Sequence, residues 1–255
     1  MKIIGIIPAR MQASRFPGKP LFNICGKPML EHVFIRAKMY KEWNSLLVAT
    51  CDDEIQKFAK EKGFPSIMTG NFHVRALDRV AEAVELLGNV EDDDIIVNVQ
   101  GDEPMMRPDM IDGVVEPLRK DPNIGGTILG MHIVDKSIWL NPDTVKLVSN
   151  TQGEVLYTSR APIPYCKGEF TAELMARRIY GIFAFRWKNL KAFTNQSETR
   201  LEMLESCDSN RTLDMNFRQY VAPYGNIKSF SVDSPQDIEL VEKYMKEDQI
   251  WKLYS

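Results

Sequence analysis

Three cations lie close together in a loop near the start of the chain. The segment PARMQASRFPGKP (residues 8–20) contains Arg10, Arg15 and Lys19, and Gly18 allows the backbone to come close to a ligand. Polyphosphates are bound by dense positive charge and exposed backbone amides. The spacing therefore favours a triphosphate site, and a solvated basic loop is an almost equally good interpretation. Neither standard nucleotide fingerprint applies, because the segment is not a Walker A sequence and lacks GxGxxG.

Two aspartates could bind a metal ion beside such phosphates. Asp102 follows the apolar run in NVQGDEP, with Glu103 as a weaker second candidate, and Asp233 occupies a similar position in SVDSPQD. A carboxylate at the end of a strand commonly holds Mg²⁺ against a phosphate. Each aspartate could equally be a turn or capping residue, since Ser234 and Pro235 look like the start of a helix. The two would bracket Mg²⁺ only if the fold brings them together.

The elements that would position these residues have the order of an α/β protein. The runs KIIGIIPAR, SLLVAT, FPSIMT and DDIIVNVQGDEP are rich in β-branched residues, which indicates buried strands. Apolar residues at helical spacing separate them over Pro28–Tyr40, over DEIQKFAKEKG and over Asp78–Leu87. This order predicts a doubly wound, mostly parallel sheet. Ligands of such sheets lie beyond the carboxyl ends of the strands, here in the loops Arg10–Lys19, Thr50–Glu54 and Gln100–Pro104.

The pattern changes after about Gly125. The runs GGTILGMHIV, VKLVSN, VLYTSRAPIP and IYGIFAFR indicate strands without regular helices between them, which predicts a smaller antiparallel lobe. The segment IKSFSVDSPQDIELVEKYM is expected to close the chain as strand, loop and helix. No repeat or linker divides the sequence, so residues 1–255 are expected to form a single domain.

The composition excludes several classes of protein. The 255 residues carry 32 Lys and Arg against 35 Asp and Glu, without the excess positive charge of a protein that binds nucleic acid or an anionic membrane. The four cysteines (Cys25, Cys51, Cys166 and Cys207) lack metal-ligand spacing, which indicates free thiols in a reducing cytosol. The first apolar run, IIGII, is too short for a signal peptide or a membrane span. We therefore expect a cytoplasmic protein with no nucleic-acid or membrane partner.

Seven motifs distributed over almost the whole chain occur together in one known family. They are PARMQASRFPGKPLFNICGKPMLEHV, LLVATCDDEI, IVNVQGDEPMM, NPDTVKLV, VLYTSRAPIPY, YGIFAFR and VDSPQDIELVE. In this order they closely resemble the sugar-acid cytidylyltransferases, above all the CMP-Kdo synthetases, Kdo being 3-deoxy-manno-octulosonate. The resemblance implies the Rossmann-like fold of nucleotide-diphospho-sugar transferases and a homodimer. It also implies that the chain uses CTP and Mg²⁺ to activate a 2-keto-3-deoxy sugar acid, Kdo or a close relative, with release of pyrophosphate.

The resemblance assigns roles residue by residue. It makes Asp102 and Asp233 the Mg²⁺ ligands. It places the nucleotide contacts at Ala9, Arg10, Ser14, Arg15, Lys19, His73, Asp78 and Gln100, with Arg10, Lys19 and Asp102 as catalytic residues. Arg75 is a further nucleotide-binding candidate, as a cation that could replace the arginine missing at position 70. It places the sugar-acid contacts at Gln100, Tyr157, Ser159, Arg160, Gly181 and Glu205. Arg160 is the expected partner of the sugar carboxylate, whereas strand packing is an equally good interpretation of Tyr157 and Ser159. Residues 1–125 would then bind the nucleotide, 126–225 would form the sugar-binding and dimerisation lobe, and 226–255 the closing strand and helix.

The chain departs from the family pattern at several positions beside these sites. The arginine of the family's MTR is Gly70, and its Ser-Gly-Thr is Arg75-Ala76-Leu77. Ile179 replaces a histidine, and LEQLR, recognisable in EMLE, is interrupted as LESCDSNR without a glutamine. Lost hydrogen-bonding groups change which ligand fits a polar pocket. The alternatives are therefore another nucleobase or another acceptor, such as a nonulosonic acid or a sugar phosphate, and a catalytically silent sugar-nucleotide-binding protein. The intact Arg10, Lys19, Asp102 and Asp233 speak against the silent protein.

Overall fold

The computed structural model describes residues 1–12, 15–215 and 217–255. Ser14, one of the predicted nucleotide contacts, lies outside the described residues. The chain divides into two compact units. The first consists of Met1–Asp112 and Lys228–Ser255, and the second of Gly113–Ile227.

Strands and helices alternate along much of the chain. In chain order they are β1 Ile3–Pro8, β2 Asn23–Ile24, β3 Lys27–Pro28, α1 Met29–Lys38, β4 Ser45–Thr50, α2 Asp53–Glu61, β5 Ser66–Met68, α3 Ala76–Leu87, β6 Ile95–Val99, α4 Pro108–Lys120, β7 Gly126–His132, α5 Lys136–Leu140, β8 Lys146–Ser149, β9 Val155–Ser159, β10 Arg177–Arg186, α6 Trp187–Thr194, α7 Arg200–Glu205, α8 Arg211–Asp214, β11 Gln219–Tyr224 and α9 Asp237–Met245. Short 3-10 helices cover Lys19–Leu21, Ala172–Leu174, Asp208–Asn210 and Trp251–Leu253.

A parallel sheet forms the centre of the first unit. β1 pairs with β4 and with β6, and β4 pairs with β5, all in parallel. Every residue of β1 and β6 is buried, as their continuous apolar sequences predict. This α/β architecture with a mostly parallel central sheet confirms the predicted fold class. Because the strands are parallel, the loops after β1, β4 and β6 leave the sheet at the same edge.

The second unit contains the predicted antiparallel strands. β10 pairs antiparallel with β7 and with β8, and β8 pairs antiparallel with β9. The expectation of no regular helices between these strands is wrong, since α5 follows β7. The sequence pattern also missed α4, α6, α7, α8 and β11, the last of which is parallel to β7. A capping box of Thr199 and Glu202 begins α7, and this local signal was available in the sequence.

The strand predicted in IKSFSVDSPQD does not form. Residues 226–236 are irregular, and α9 begins at Asp237. The segment contacts the loop that follows β6 rather than a strand: the N–H of Val232 donates to the carbonyl of Asp102 (2.9 Å), and Ser229 Oγ donates to the carbonyl of Met105 (3.2 Å). Since that loop is a turn, it offers no continuous ladder of backbone groups to pair with. Asp233 therefore follows an irregular segment and not a strand.

An apolar cluster fixes the cationic loop and the closing segment in the first unit. Phe16, from the loop, is buried with Ile24 and Met29, and from the end of the chain Val232 and Val241 join the same cluster. Burial of each such side chain stabilises the fold by roughly 1.5–3 kcal/mol. The loop is thus held by its own phenylalanine while its charged residues remain outside the cluster.

Buried polar side chains attach the end of the chain to α1. The guanidinium of Arg36, which is completely buried, donates to the Tyr254 hydroxyl (2.7 Å) and pairs with Asp248 (2.6 Å). His32 contacts the same hydroxyl through Nδ1 (2.9 Å) and the carbonyl of Ile24 through Nε2 (2.7 Å). Burial first, and the charge of Arg36 in addition, lower the pKa of His32 to about 4.

Candidate functional site

A cleft of about 250 Å³ lies in the first unit, where the loops after β1 and β6 meet the closing segment. Nine predicted residues line it, namely Ala9, Arg10, Arg15, Lys19, His73, Arg75, Gln100, Asp102 and Asp233. Asp78 is not among the described residues that line the cleft. The parallel sheet explains this convergence, because its strands deliver loops from distant parts of the sequence to one edge.

Two backbone features allow the loops to approach one another. Gly18 has a φ of +76°, a conformation that side chains rarely adopt, and its N–H donates to the carbonyl of Met11 (2.9 Å). Gly101 lies so close to the end of β1 that a Cβ there would be 2.7 Å from the carbonyl oxygen of Pro8. Larger residues at these two positions would displace the loops that carry Lys19 and Asp102.

Asp52 anchors the cationic loop and was missed among the candidate residues. It occupies the N-cap position of α2, but its side chain makes no hydrogen bond to that helix. Instead, Oδ2 accepts from the N–H of Met11 (2.8 Å). The available signal was its place in the loop Thr50–Glu54, at the edge of the sheet where ligands bind. Met11 and Asp52 are 41 residues apart in the sequence. A local sequence pattern therefore cannot predict that they form a hydrogen bond.

Two of the three cations of the loop are paired with the two candidate metal ligands. Nζ of Lys19 lies 2.9 Å from Oδ2 of Asp102 and also donates to the carbonyl of Val232 (2.8 Å). The guanidinium of Arg15 lies 2.7 Å from Oδ1 of Asp233. These ion pairs reduce the repulsion between the two carboxylates and between the two cations in a partly buried cleft.

Asp102 and Asp233 lie close enough to influence each other. The pKa of Asp233 is raised above its ordinary value by burial and then by the negative charge of Asp102, while Arg15 and Lys19 act in the opposite direction. The backbone N–H of Asp233 donates to Asp237 (2.9 Å), so the start of α9 holds the backbone at Asp233. The closing segment therefore completes the acidic part of the cleft. Glu103 is buried and accepts from Ser231 Oγ (2.8 Å), which indicates a structural role.

The donor set of the cleft fits Mg²⁺. Among residues 1–12, 15–215 and 217–255, no group of three or more His, Cys, Asp or Glu side chains could hold a metal ion. Mg²⁺ does not require such a group, because it commonly binds one or two carboxylates together with substrate phosphates and water. The aspartate pair 102 and 233 supplies hard oxygen ligands beside cations suited to phosphate.

The segment that follows β5 forms another side of the cleft. His73, Val74 and Arg75 line it, and the N–H of Gly70 donates to Glu82 on α3 (2.8 Å). The ring of Phe72 lies directly over Gly70, where a Cβ would be 2.1 Å from a ring atom. A side chain at position 70 would therefore displace the ring of Phe72.

The predicted sugar-acid residues of the second unit bond to one another around Glu205. Its carboxylate accepts from the Tyr157 hydroxyl (2.9 Å), Ser159 Oγ (2.7 Å) and the N–H of Arg160 (2.9 Å). Burial raises the pKa of Glu205, but these hydrogen bonds outweigh burial and hold it below its ordinary value. The hydrogen bond to Glu205 in turn raises the pKa of Tyr157. Gly181 lies in β10, where the register against β7 shifts between Tyr180 and Phe183.

The guanidinium of Arg160 donates to main-chain carbonyls. Its acceptors are Glu205 (3.0 Å), Pro142 (3.0 Å) and Ser206 (3.2 Å). The completely buried Lys146 donates to three further carbonyls, those of Asn141 (2.8 Å), Thr144 (2.6 Å) and Arg160 (2.6 Å). Burial lowers the pKa of Lys146. A lysine in the apolar run VKLV was a signal that sequence reasoning did not use.

The altered motif LESCDSNR is packed into the second unit. Asn210 is buried and bonds the backbone of Thr158 through both ends of its amide (3.2 and 2.9 Å). Arg211 makes a buried bidentate ion pair with Glu202 (2.7 and 2.8 Å). Cys207 is buried next to Thr158 Oγ1 (3.3 Å). These residues hold the segment that follows α7, the helix in which Glu205 is the last residue.

No helix within the described residues is long and apolar enough to cross a membrane.

Comparison with known proteins places the chain among nucleotidyltransferases. The profile of a family described as cytidylyltransferase matches residues 4–221. The chain is 39% identical over 240 residues to the 3-deoxy-manno-octulosonate cytidylyltransferase of Syntrophus aciditrophicus (strain SB), covering 94% of this chain and 96% of that protein. The enzyme of the same name from Oleidesulfovibrio alaskensis (strain ATCC BAA-1058 / DSM 17464 / G20) is 37% identical over 246 residues, covering 96% and 97% of the two chains.

Solved structures agree with this assignment. A CMP:2-keto-3-deoxy-manno-octonic acid synthetase in complex with CTP superimposes with a TM-score of 0.86 at 34% identity, covering 97% of this chain and 99% of that chain. A 4-diphosphocytidyl-2C-methyl-D-erythritol synthase from Anaerococcus prevotii DSM 20548 shares the fold, with a TM-score of 0.65 at 16% identity and 96% of each chain covered. With the family profile matched over residues 4–221, the chain belongs to the cytidylyltransferase family of nucleotidyltransferases.

Proposed function

We propose that the chain transfers the cytidylyl group of CTP to a 2-keto-3-deoxy sugar acid, Kdo or a close relative, and releases pyrophosphate. The observation that carries this proposal is the aspartate pair 102 and 233 in a cleft that Arg10, Arg15 and Lys19 also line. Nucleotidyl transfer depends mostly on positioning and on neutralising phosphate charge, which such a combination of carboxylates and cations can provide. CTP and Kdo are proposed as the substrates because the chain is similar to 3-deoxy-manno-octulosonate cytidylyltransferases.

Mg²⁺ is part of the same proposal, with Asp102 and Asp233 as its protein ligands. When bound, the ion would supply positive charge to the triphosphate. Lys19 and Arg15, which pair with the two carboxylates, would then donate to phosphate oxygens. Each cation thus exchanges one anionic partner for another, and the charge of the cleft stays compensated throughout.

In the proposed reaction, the anomeric hydroxyl of the sugar acid attacks the α-phosphorus of CTP. A bond forms between the sugar oxygen and this phosphorus, the bond to the bridging oxygen of the β-phosphate breaks, and the hydroxyl proton passes to solvent. The chain contributes by orienting the triphosphate through Arg10, Arg15 and Lys19. No side chain is required as a general base.

A screen of pyrophosphate release tests the proposal. The four common nucleoside triphosphates are each combined with a panel of sugar acids, with Mg²⁺ or with a chelator. We expect turnover with CTP and a sugar acid only, and its loss when the chelator is present. Turnover with another nucleotide in place of CTP, or full activity in the chelator, would contradict the proposal.

A second candidate is transfer to a different acid such as a nonulosonic acid, and it rests on the departures from the family pattern at Ile179 and in LESCDSNR. The network around Glu205 limits which acid can fit. The hydroxyls of Tyr157 and Ser159 each donate a hydrogen bond to the Glu205 carboxylate. The guanidinium of Arg160 donates to main-chain carbonyls. An acceptor that replaces these contacts must match them closely, because unmatched buried polar groups are costly. The same screen distinguishes the two acceptors when nine-carbon acids are included.

A further inference from the structure

The backbone of Gly70 is held by two side chains of α3. Its N–H donates to Oε2 of Glu82 (2.8 Å), and its carbonyl accepts from the guanidinium of Arg79 (3.2 Å). Arg79 is buried and also donates to Thr69 Oγ1. The start of the segment that forms one side of the cleft is therefore fixed by side chains from one helix.

The same oxygen of Glu82 also contacts Nε2 of His73. One carboxylate thus binds the segment at two points, the amide of Gly70 and the ring of His73, which lines the cleft. The His73 side chain is only 11% exposed, so the ring has little freedom to turn away from this partner. Its carbonyl accepts from the guanidinium of Arg10 (3.4 Å), which links the segment to the cationic loop.

The contact with Glu82 determines which nitrogen of His73 carries the proton. A carboxylate accepts hydrogen bonds, so Nε2 must donate to it, and in the neutral ring Nδ1 is then left as an acceptor. Within the described residues, Nδ1 makes no hydrogen bond, whereas Nε2 contacts Glu82. An acceptor at the edge of a nucleotide cleft suits an N–H or O–H donor, such as the amino group of cytosine or a ribose hydroxyl.

We propose that Glu82 is a positioning residue of the nucleotide site. By holding the Gly70 amide and the His73 ring, it fixes one side of the cleft and presents Nδ1 of His73 as an acceptor for a donor group of the nucleoside. This inference rests on the proposed function in one respect, that the ligand is a nucleotide.

Nucleotide affinity, measured by calorimetry without sugar acid, tests the inference through three variants of α3. In Glu82→Ala both contacts are lost, and we expect the affinity for CTP to fall about tenfold or more, since both contacts are charge-assisted. Glu82→Gln should restore most of the affinity, because an amide oxygen can accept from both donors. Glu85→Ala, an exposed glutamate of the same helix, is the matched control and should bind CTP as the wild type does.

Turnover and ligand variants separate positioning from a general loss of structure. In Glu82→Ala the KM for CTP should rise while the KM for the sugar acid and kcat stay near their wild-type values. His73→Gln should lower the affinity for CTP to a similar extent. The double variant His73→Gln/Glu82→Ala should bind CTP as tightly as the single variant with the lower affinity, because both changes remove the same contact. Binding to His73→Gln is then measured with UTP, which lacks the amino group, and with 2′-deoxy-CTP. The ligand that lacks the donor facing Nδ1 should bind this variant as it binds the wild type, whereas CTP should bind it more weakly. Equal sensitivity of all three ligands would contradict the acceptor role of Nδ1.

The protonation of the His73 ring gives a readout that does not depend on activity. The chain has only three histidines, so ¹⁵N ring signals can be assigned with His73→Gln. We expect the proton of the neutral ring on Nε2 in the wild type and a mixture of tautomers in Glu82→Ala. A proton on Nδ1 in the wild type, or CTP affinity in Glu82→Ala equal to that of Glu85→Ala, would overturn the inference. If the wild type bound no nucleotide, the proposed function would fail, and the ring signals would still decide whether Glu82 sets the tautomer.

Discussion

Lys19 and Asp102 form an ion pair of 2.9 Å between the loop after β1 and the loop after β6. The ammonium group also donates to the carbonyl of Val232, so three separate segments of the chain meet at one nitrogen. The Lys19 side chain is 13% exposed, and such a partly buried charge needs a partner in the absence of substrate. The contact therefore compensates the charges of Lys19 and Asp102 within the cleft.

The first prediction concerns the two carboxylates. Asp102→Asn and Asp233→Asn keep the shape of each side chain but remove the charge that would bind Mg²⁺, so we expect turnover to fall by about two orders of magnitude or more. Pyrophosphate release at increasing Mg²⁺ measures the effect. Asp109→Asn, at an exposed position of α4, is the control. Wild-type turnover in either aspartate variant would remove that residue from the metal site.

The second prediction separates nucleotide binding from acceptor binding. Lys19→Met and Arg10→Met remove a charge-assisted contact to phosphate, each worth roughly 1.5–3 kcal/mol, so the KM for CTP should rise about tenfold or more. The KM for the sugar acid should change little. Steady-state kinetics with each substrate varied in turn gives both values, and Lys27→Met serves as a control in the same unit. An unchanged KM for CTP in both variants would show that the loop does not bind the triphosphate.

The third prediction concerns the acceptor. Since Ile179 and the motif LESCDSNR depart from the family pattern, Kdo should be used less efficiently than a related sugar acid, by about tenfold for each 1.4 kcal/mol of lost contact. The measurement is kcat/KM for Kdo and for its 8-amino, 5-deoxy and nine-carbon relatives under identical conditions. If Kdo gave the highest value, the altered pocket would have no effect on specificity, and the cytidylyltransferase assignment would stand.

The fourth prediction concerns stability at acid pH. The folded-state pKa of His32 is about 4, against about 6.5 in the unfolded chain. Between these values the unfolded chain binds a proton that the folded chain excludes, so the free energy of unfolding should fall as the pH drops from 6.5 to 4, by about 3 kcal/mol in total. Urea unfolding at several pH values measures this slope. It should be smaller in His32→Gln and unchanged in His132→Gln, and equal slopes in all three proteins would contradict the assignment to His32.

The fifth prediction concerns the buried lysine of the second unit. Lys146 is completely buried and its ammonium donates to three carbonyls, including that of Arg160. Lys146→Met retains the apolar stem but leaves these carbonyls unpaired, so the free energy of unfolding should fall by roughly 2–5 kcal/mol. Denaturant unfolding measures the loss. Lys188→Met, an exposed lysine of the same unit, should unfold as the wild type does.

The parallel sheet could be predicted because its signals are local. β1 and β6 are continuous apolar runs, and such runs between helical segments are sufficient to indicate buried parallel strands. The nearness of Arg15 and Asp233 could not be predicted in the same way, because 218 residues separate them and only the complete fold brings them together. Asp52 and Glu82 were missed for a related reason. Each bonds a backbone amide in another segment, and no residue pattern marks which amide an acidic side chain will find.

The strand expected before Asp233 shows the opposite error. The alternation in KSFSVD is typical of a strand, but a strand requires a neighbour with a regular ladder of free backbone groups. The neighbour here is the turn at Asp102, whose carbonyl accepts from the N–H of Val232. Tertiary context therefore overrides a sound local pattern.

The discontinuous composition of the first unit has a consequence for biosynthesis. Met1–Asp112 carries the cationic loop and Asp102, whereas Asp233 and the carbonyl that holds Lys19 belong to Lys228–Ser255. The ribosome must therefore translate the whole of Gly113–Ile227 before the cleft can assemble. A nascent or prematurely terminated chain holds only one of the two aspartates, so it has no completed site with which to sequester a nucleotide.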